Sequence, residues 1–345
     1  MKINNNYLLY ICWCVIFLKV LMYISILFGV RIGFGGGNDA EMYNLHALGY
    51  ITINTTYWPI FLRWLNSIGF YSRDGVVAAY QLLTLIIIPL FACLIVHSGQ
   101  RLTLKVGLFV FFIFSFYPTL FMFSYDVARD VAMFFLFILG IYSAQKFLYG
   151  NFIFLFSVIL FSFLLFNFRG YLGFSFVCSF LFFPLLKKIN NPKVFLLFYI
   201  LILTIIRSSG YMDPLLDYRG DGWDSGGSSL GLDMINTSAI TFPIVFILSY
   251  LAQVFGFFIP NLSSLIVFLT ESVPFLICFY YVIVNIRFSD SFCYYLITFF
   301  LIYNSIWVIA NDNLGTACRI RIYSYAAIYI AAGIIYLKKK NIAIA

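Results

Sequence analysis

Stretches of about twenty apolar residues recur from one end of this chain to the other, and a helix of that length crosses ~30 Å of hydrocarbon. The 345 residues are 63% hydrophobic and only 10% charged, where a soluble domain carries about 25% charged residues. The longest polar stretch, 207–240, is too short to build a core of its own. The sequence therefore predicts an all-α fold, a polytopic transmembrane helical bundle. It forms one integral membrane domain over 1–345, with outer loops at 31–74 and 207–240. The first run, Tyr7 to Val30, is longer than a signal-peptide core and no small-residue cleavage site follows it, so it is expected to stay as the first span.

Ten spans are expected, near 7–30, 75–96, 103–123, 128–147, 152–167, 171–186, 193–206, 262–285, 291–310 and 322–337. Lysine and arginine gather on the cytoplasmic side of a membrane protein. Lys2, Arg101, Lys105, Lys146, Lys187, Lys188 and Lys193 fall on alternate loops, which places those loops and the N-terminus inside. Loops 33–74, 124–130, 166–171 and 207–241 then face out. The apolar segment 241–260, bracketed by Pro243 and Pro260, decides the rest. If it crossed, Arg287 and Lys338-Lys339-Lys340 would lie outside. If it re-enters or lies along the outer surface, both lie inside, and Asn261-Leu-Ser-Ser restarts the next helix. The second arrangement is expected. It puts both termini in the cytoplasm of a bacterial inner membrane.

This orientation sorts the charges by type. Every lysine is cytoplasmic except Lys19, which lies within the first span, and the basic residues of the outer face are all arginine: Arg31, Arg63, Arg73, Arg129, Arg169, Arg207, Arg219, Arg319 and Arg321. Arginine stays charged and offers a planar fork of donors to phosphate or carboxylate, so the outer face reads as an anion-binding surface. The net charge of +8 lies in short loops between spans, which is a topology signal and argues against a nucleic-acid partner. The seven cysteines sit mostly inside apolar runs, with no CxxC or Cys/His metal spacing. They read as small core residues, with no disulfide framework, metal or cofactor indicated.

Several outer constellations could carry chemistry. In the first loop, Asn38 or Asp39 can cap a short helix. On that helix Asp39, Tyr43 and His46 share one face and Met42, Leu45 and Leu48 another. Asp39 is a candidate general base toward a sugar hydroxyl, or simply the cap. The stretch Tyr57-Trp-Pro-Ile-Phe-Leu-Arg-Trp-Leu reads as an interfacial helix. Asp126, Arg129 and Asp130 are near neighbours where a span begins. They either pair locally or Asp130 turns Arg129 toward a bound anion. Arg169 stands alone in a tight outer turn. Arg219 lies in an Asp-, Gly- and aromatic-rich loop suited to sugar recognition, where the acids do not match a calcium-loop spacing. Two arginines, Arg319 and Arg321, follow a Gly-Thr turn that would suit a diphosphate. Lys19 and Glu271 lie within spans, where charge is costly and marks candidate functional positions.

Ten or so spans, two sizeable outer loops, scattered outer arginines and Gly315-Thr-Ala-Cys-Arg-Ile-Arg before the last span resemble the Wzy-type polymerases of bacterial O-antigen and capsule repeat units. The resemblance implies block transfer of an oligosaccharide from one undecaprenyl diphosphate to the terminal sugar of a second lipid-linked unit. Asp39, Arg169, Arg319 and Arg321 would then be catalytic. Arg129, Asp126, Asp130, Tyr43, His46, Arg219 and Glu271 would bind substrate. The implied partners are undecaprenyl-diphosphate-linked oligosaccharide, membrane lipid and a chain-length regulator protein. Asn38-Asp-Ala-Glu-Met-Tyr followed by Tyr57-Trp-Pro also resembles GT-C glycosyltransferases that use a polyprenyl-phosphate sugar, which place an acid in the first outer loop. A lipid-linked oligosaccharide flippase is a third alternative, and would favour internal repeats and midplane polar residues, which this sequence lacks apart from its two intramembrane charges.

Overall fold

The computed structural model describes residues 5–28, 37–53, 56–97, 103–189, 192–220, 229–238 and 240–342. Arg31, the glycines of 33–36, Arg101, Asp221 and Asp224 lie outside the described residues. Among those described, the secondary structure is helical apart from one isolated bridge, Ser229 to Asn313. Among the described residues six helical stretches are long and apolar enough to cross a membrane, or seven if the bent pair Leu314–Ile320 and Ile322–Ile342 is one span. This is the make-up of a multi-pass helical membrane protein.

Contacts divide the chain into two compact units, Met1–Phe174 with Ala332–Ala345, and Ser175–Ala331. No shift in composition announces that division. The first unit holds α1 (Asn5–Leu27), α2 (Gly37–Ala47), α3 (Tyr57–Ser67), α4 (Arg73–Leu82), α5 (Ile88–His97), α6 (Leu104–Ser115), α7 (Pro118–Phe123), α8 (Arg129–Leu148) and α9 (Phe154–Phe168). Its boundaries fall inside α10 (Gly170–Lys188) and α18 (Ile322–Ile342). The second unit holds α11 (Pro192–Ser208), α12 (Asp213–Gly220), α13 (Phe242–Gln253), α14 (Leu262–Val267), α15 (Val273–Val284), α16 (Ser291–Ala310) and α17 (Leu314–Ile320). In the first unit α8 packs on α9, α6 on α1 and α5, and α2 on α3; in the second α16 packs on α12 and α13. α16 is the most enclosed span, 72% buried, with Tyr295, Tyr303 and Trp307 fully covered. The large side chains left exposed on α9, α10 and α11, such as Phe156, Leu181 and Leu197, suit a hydrocarbon surrounding.

Prolines explain where the helices depart from regular winding. A proline has no N–H to give to the carbonyl four residues back, and its ring presses on that turn. Pro89 follows a π-helical turn at Leu83–Ile87, and Pro274 follows another at Phe268–Ser272. Each joins two helices into one long span, Arg73–His97 and Leu262–Val284. Pro118 has a stronger effect. The span expected over 103–123 is not one helix, because α6 stops at Ser115 and α7 restarts with Pro118 at its first turn. The 12 residues of α6 reach only ~18 Å.

The segment 241–260 resolves into α13, itself 12 residues long, followed by a non-helical turn through Gly256 at φ 75°. It does not form a helix long enough to cross. The next helix starts where Asn261 suggested: its side chain accepts from Ser264 N at 2.9 Å, and Ser264 Oγ accepts from Asn261 N at 3.1 Å, a reciprocal cap. The expected count of ten spans is not reproduced by length and composition. Besides Leu104–Ser115 and Phe242–Gln253, the segments Phe154–Phe168 and Leu197–Ser208 are apolar but shorter.

Candidate functional site

The polar end of the first unit is built around Arg73, the first residue of α4. Ser72 caps that helix by accepting from Gly75 N at 3.0 Å. Arg73 donates from Nε and Nη2 to the two oxygens of Asp126 at 2.9 and 2.8 Å, and from Nη1 to Glu41 of α2 at 2.7 Å. Paired parallel bonds of this kind are among the strongest ion pairs. Asp126 accepts a further bond from Val127 N at 2.8 Å. Tyr71 donates to Asn44 of α2 at 2.8 Å, so two bonds fasten α2 to the start of α4. Burial pushes the Tyr71 hydroxyl up to about 12, with the Arg73 charge opposing.

Aromatic side chains close this end from the side of α3. Trp58 donates to the Val127 carbonyl at 2.8 Å and stacks on Tyr80 at 5.8 Å, and Tyr80 donates to the Ala128 carbonyl at 2.8 Å. Asp130, Tyr43 and Asp126 all act electrostatically on Tyr80. Asp130 faces Arg169, whose Nη2 stands 3.9 Å away with both side chains buried. The Arg169 guanidinium also lies 5.6 Å from the Tyr171 ring.

Arg129 stands between these two ion pairs in the chain and belongs to neither. It is half-buried. Among the described residues no acceptor, carboxylate or ring meets its guanidinium, and its Nε is enclosed without a partner. Only Nε is enclosed in this way, so the terminal nitrogens keep access to the outside. The arrangement is a cation whose sequence neighbours of opposite charge are held elsewhere.

α2 presents a different face from the one its polarity suggests. Ala40, Tyr43, His46 and Ala47 are buried, while Met42 and Leu48 of the apolar stripe point outward. Asp39 is half-buried at the edge of the packed face. His46 Nδ1 accepts from Ile53 N at 2.8 Å and so pins the chain after α2. Burial, and then the charge of Arg63, lower its pKa below the ordinary 6.5. The neutral ring that this bond needs is therefore favoured above that range, and the bond is lost as pH falls through the lowered value.

In the second unit Arg219 and Arg321 each meet a carboxylate. Arg219 of α12 donates from Nη1 to the carbonyls of Val308 and Asn311 at 3.0 and 2.8 Å, and from Nη2 to Leu232 at 3.1 Å and to Asp312. It thus covers the C-terminal carbonyls of α16, which have no partners within their own helix. Burial lowers its pKa, with Asp312 opposing. Arg321 donates to Glu271 at 2.9 Å, with Glu271 fully buried in the π-helical turn. The Arg321 guanidinium lies 5.3 Å from the Tyr325 ring. Arg319 is half-buried on the short α17. In the first unit, the other intramembrane charge, Lys19, is also met by a π-helical turn. It donates to Thr84 at 3.0 Å and stands 5.0 Å from the Phe121 ring.

No protein-family model matches this chain, and no curated protein and no solved structure matches it either. Its function has to be read from its own residues.

The first unit brings Asp126, Asp130, Arg129, Arg169 and Tyr43 into one neighbourhood, with Asp39 and His46 on the helix fastened to it. Local pairing of Asp126 with Arg129 is not what forms, because Asp126 is taken by Arg73. Arg319, Arg321, Arg219 and Glu271 belong to the second unit. There Arg321 and Arg219 are neutralised by Glu271 and Asp312. Sequence reasoning missed Arg73 and Glu41 as members of the cluster. The available signal was a serine cap followed at once by an arginine at the mouth of a long apolar run.

Proposed function

We propose that this chain is a membrane glycosyltransferase of the Wzy-like kind, joining lipid-linked oligosaccharide repeat units at the outer face of a bacterial inner membrane. The observation that supports it is Arg129, a half-buried guanidinium without a counter-ion at the polar end of an apolar bundle. Such a group suits the diphosphate of a substrate whose polyprenyl tail lies in lipid. Arg169 stands in the same neighbourhood, and in this reading a small shift of its long 3.9 Å contact with Asp130 would let it share the leaving group. Arg319 and Arg321 of the second unit are further anion-binding candidates. Asp39, on the helix fastened to the cluster, is the candidate base.

In the reaction so assigned, the anomeric carbon–oxygen bond to the diphosphate breaks and a bond to the acceptor sugar's hydroxyl oxygen forms. The hydroxyl proton passes to the Asp39 carboxylate, and the diphosphate leaves with the electron pair, stabilised by arginine donors.

The test is deletion of the gene in its native strain, complemented with wild type, Asp39→Asn or Arg129→Ala at matched membrane levels. Loss of the polysaccharide ladder with a single capped unit retained is expected for the deletion and for both variants. A ladder of altered sugar composition would favour a GT-C-type transferase, a reading that the acid-bearing helix of the first loop also supports. Surface units lost altogether, with lipid-linked repeats trapped inside, would overturn both in favour of a flippase.

A further inference from the structure

We infer that Arg73 is a positioning residue that keeps Arg129 without a counter-ion, and so makes it a site for a phosphate anion. The inference rests on the proposed function only in naming a phosphate-bearing substrate. An arginine three residues after an aspartate and one before another has two carboxylates within reach of the same chain segment. Left to themselves, the nearer carboxylate would neutralise it, and an anion would have to displace that carboxylate to bind.

The geometry removes both. Asp126 is engaged at both oxygens by the Arg73 fork and at Oδ1 again by Val127 N. Asp130 follows Arg129 directly, so on the helix it points to another side, and there it meets Arg169. Glu41, the third carboxylate in the cluster, is held by Arg73 Nη1. Arg73 therefore binds two of the three acids that could quench the site. What remains is one guanidinium with an enclosed Nε and open terminal nitrogens, half sheltered from water, where charge-assisted bonds to a phosphate are worth more than at an open surface. Both a lipid phosphate headgroup and a free phosphate have this chemistry.

The experiment uses the full-length protein in nanodiscs of zwitterionic lipid, titrated with inorganic pyrophosphate. A second set of discs carries undecaprenyl phosphate, with its retention on the purified protein measured by mass spectrometry. Arg129→Ala should abolish binding. Arg73→Met should weaken it about tenfold, the scale of an ordinary coupling between sites. Arg73→Met/Asp126→Asn should recover most of the wild-type affinity, because of the two freed acids the one three residues from Arg129 is gone. Arg73→Lys, which keeps a cation on Asp126, should bind as wild type and guards against a folding defect in the Met variant.

A double variant as weak as Arg73→Met would reduce Arg73 to a fastener of α2 and overturn the inference. So would wild-type binding by Arg129→Ala, or no binding in either set of discs. Pyrophosphate bound in plain discs identifies a free-anion site, and retention of the lipid alone identifies a headgroup site. Because no sugar is present, loss of this binding pattern is separable from failure of the polymerase reading, which the polysaccharide ladder reports.

Discussion

Lys19 is enclosed in the first unit with a hydroxyl and an aromatic face for company. An ammonium so placed loses its hydration and regains only part of it from Thr84 and the ring of Phe121. Replacing such a group with an apolar side chain of similar length removes the penalty without opening a cavity. Lys19→Met should therefore raise stability by about 1–3 kcal/mol, read as a higher melting temperature of the purified protein in detergent. A lower melting temperature would mean that the bond to Thr84 more than offsets the desolvation. Glu271 and Arg321 follow the other branch of the same physics. Each has an opposite charge, so both can remain buried, provided neither partner is removed alone.

At the level of elements, glycines permit close approach at several places, Gly173 and Gly256 among them. In the tight turn from α9 to α10, a Cβ on Gly173 would collide with the backbone of Phe166, whereas one on Gly170 would meet only the Phe166 ring at 4.0 Å. Backbone cannot step aside as a side-chain tip can. Gly173→Ala should open this turn at a cost of about 1–3 kcal/mol and carry Arg169 away from Asp130, while Gly170→Ala should be tolerated. Thermal melting compares the two, and equal melting temperatures would show that the turn has slack. At Gly256 the constraint is doubled. Its φ of 75° disfavours any side chain, and a Cβ there would strike Ser272 and stand 3.1 Å from Arg321 Nη1. The turn after α13 is thus fitted around the buried ion pair.

For the whole molecule, orientation follows from where lysines fall and from whether α13 crosses. The 12 residues of α13 span ~18 Å, well short of ~30 Å of hydrocarbon. Were the ten expected spans to cross and α13 not, Arg287 and Lys338 to Lys340 would share a side with Lys187 and Lys188. A reporter fused after the last helix should accordingly be active only in its cytoplasmic form. A periplasmically active fusion would overturn the expected cytoplasmic C-terminus.

The sequence by itself determined the class, since apolar runs of this length leave helices as the expected way to pair the backbone in lipid. It also marked the restart at Asn261 and the special status of Lys19 and Glu271. Composition could not locate the breaks at Pro118 and in the two π-helical turns, because a proline's effect depends on what the neighbouring turn can absorb. Nor could it assign the ion pairs. Asp126 lies three residues from Arg129 and 53 from Arg73, and spacing along the chain favours the first. Only the tertiary structure brings Arg73 to Asp126 with two aligned donors, and in doing so leaves Arg129 unneutralised. Charge pairing over such separations is decided by packing of the helices that carry the charges, and local sequence holds no record of it.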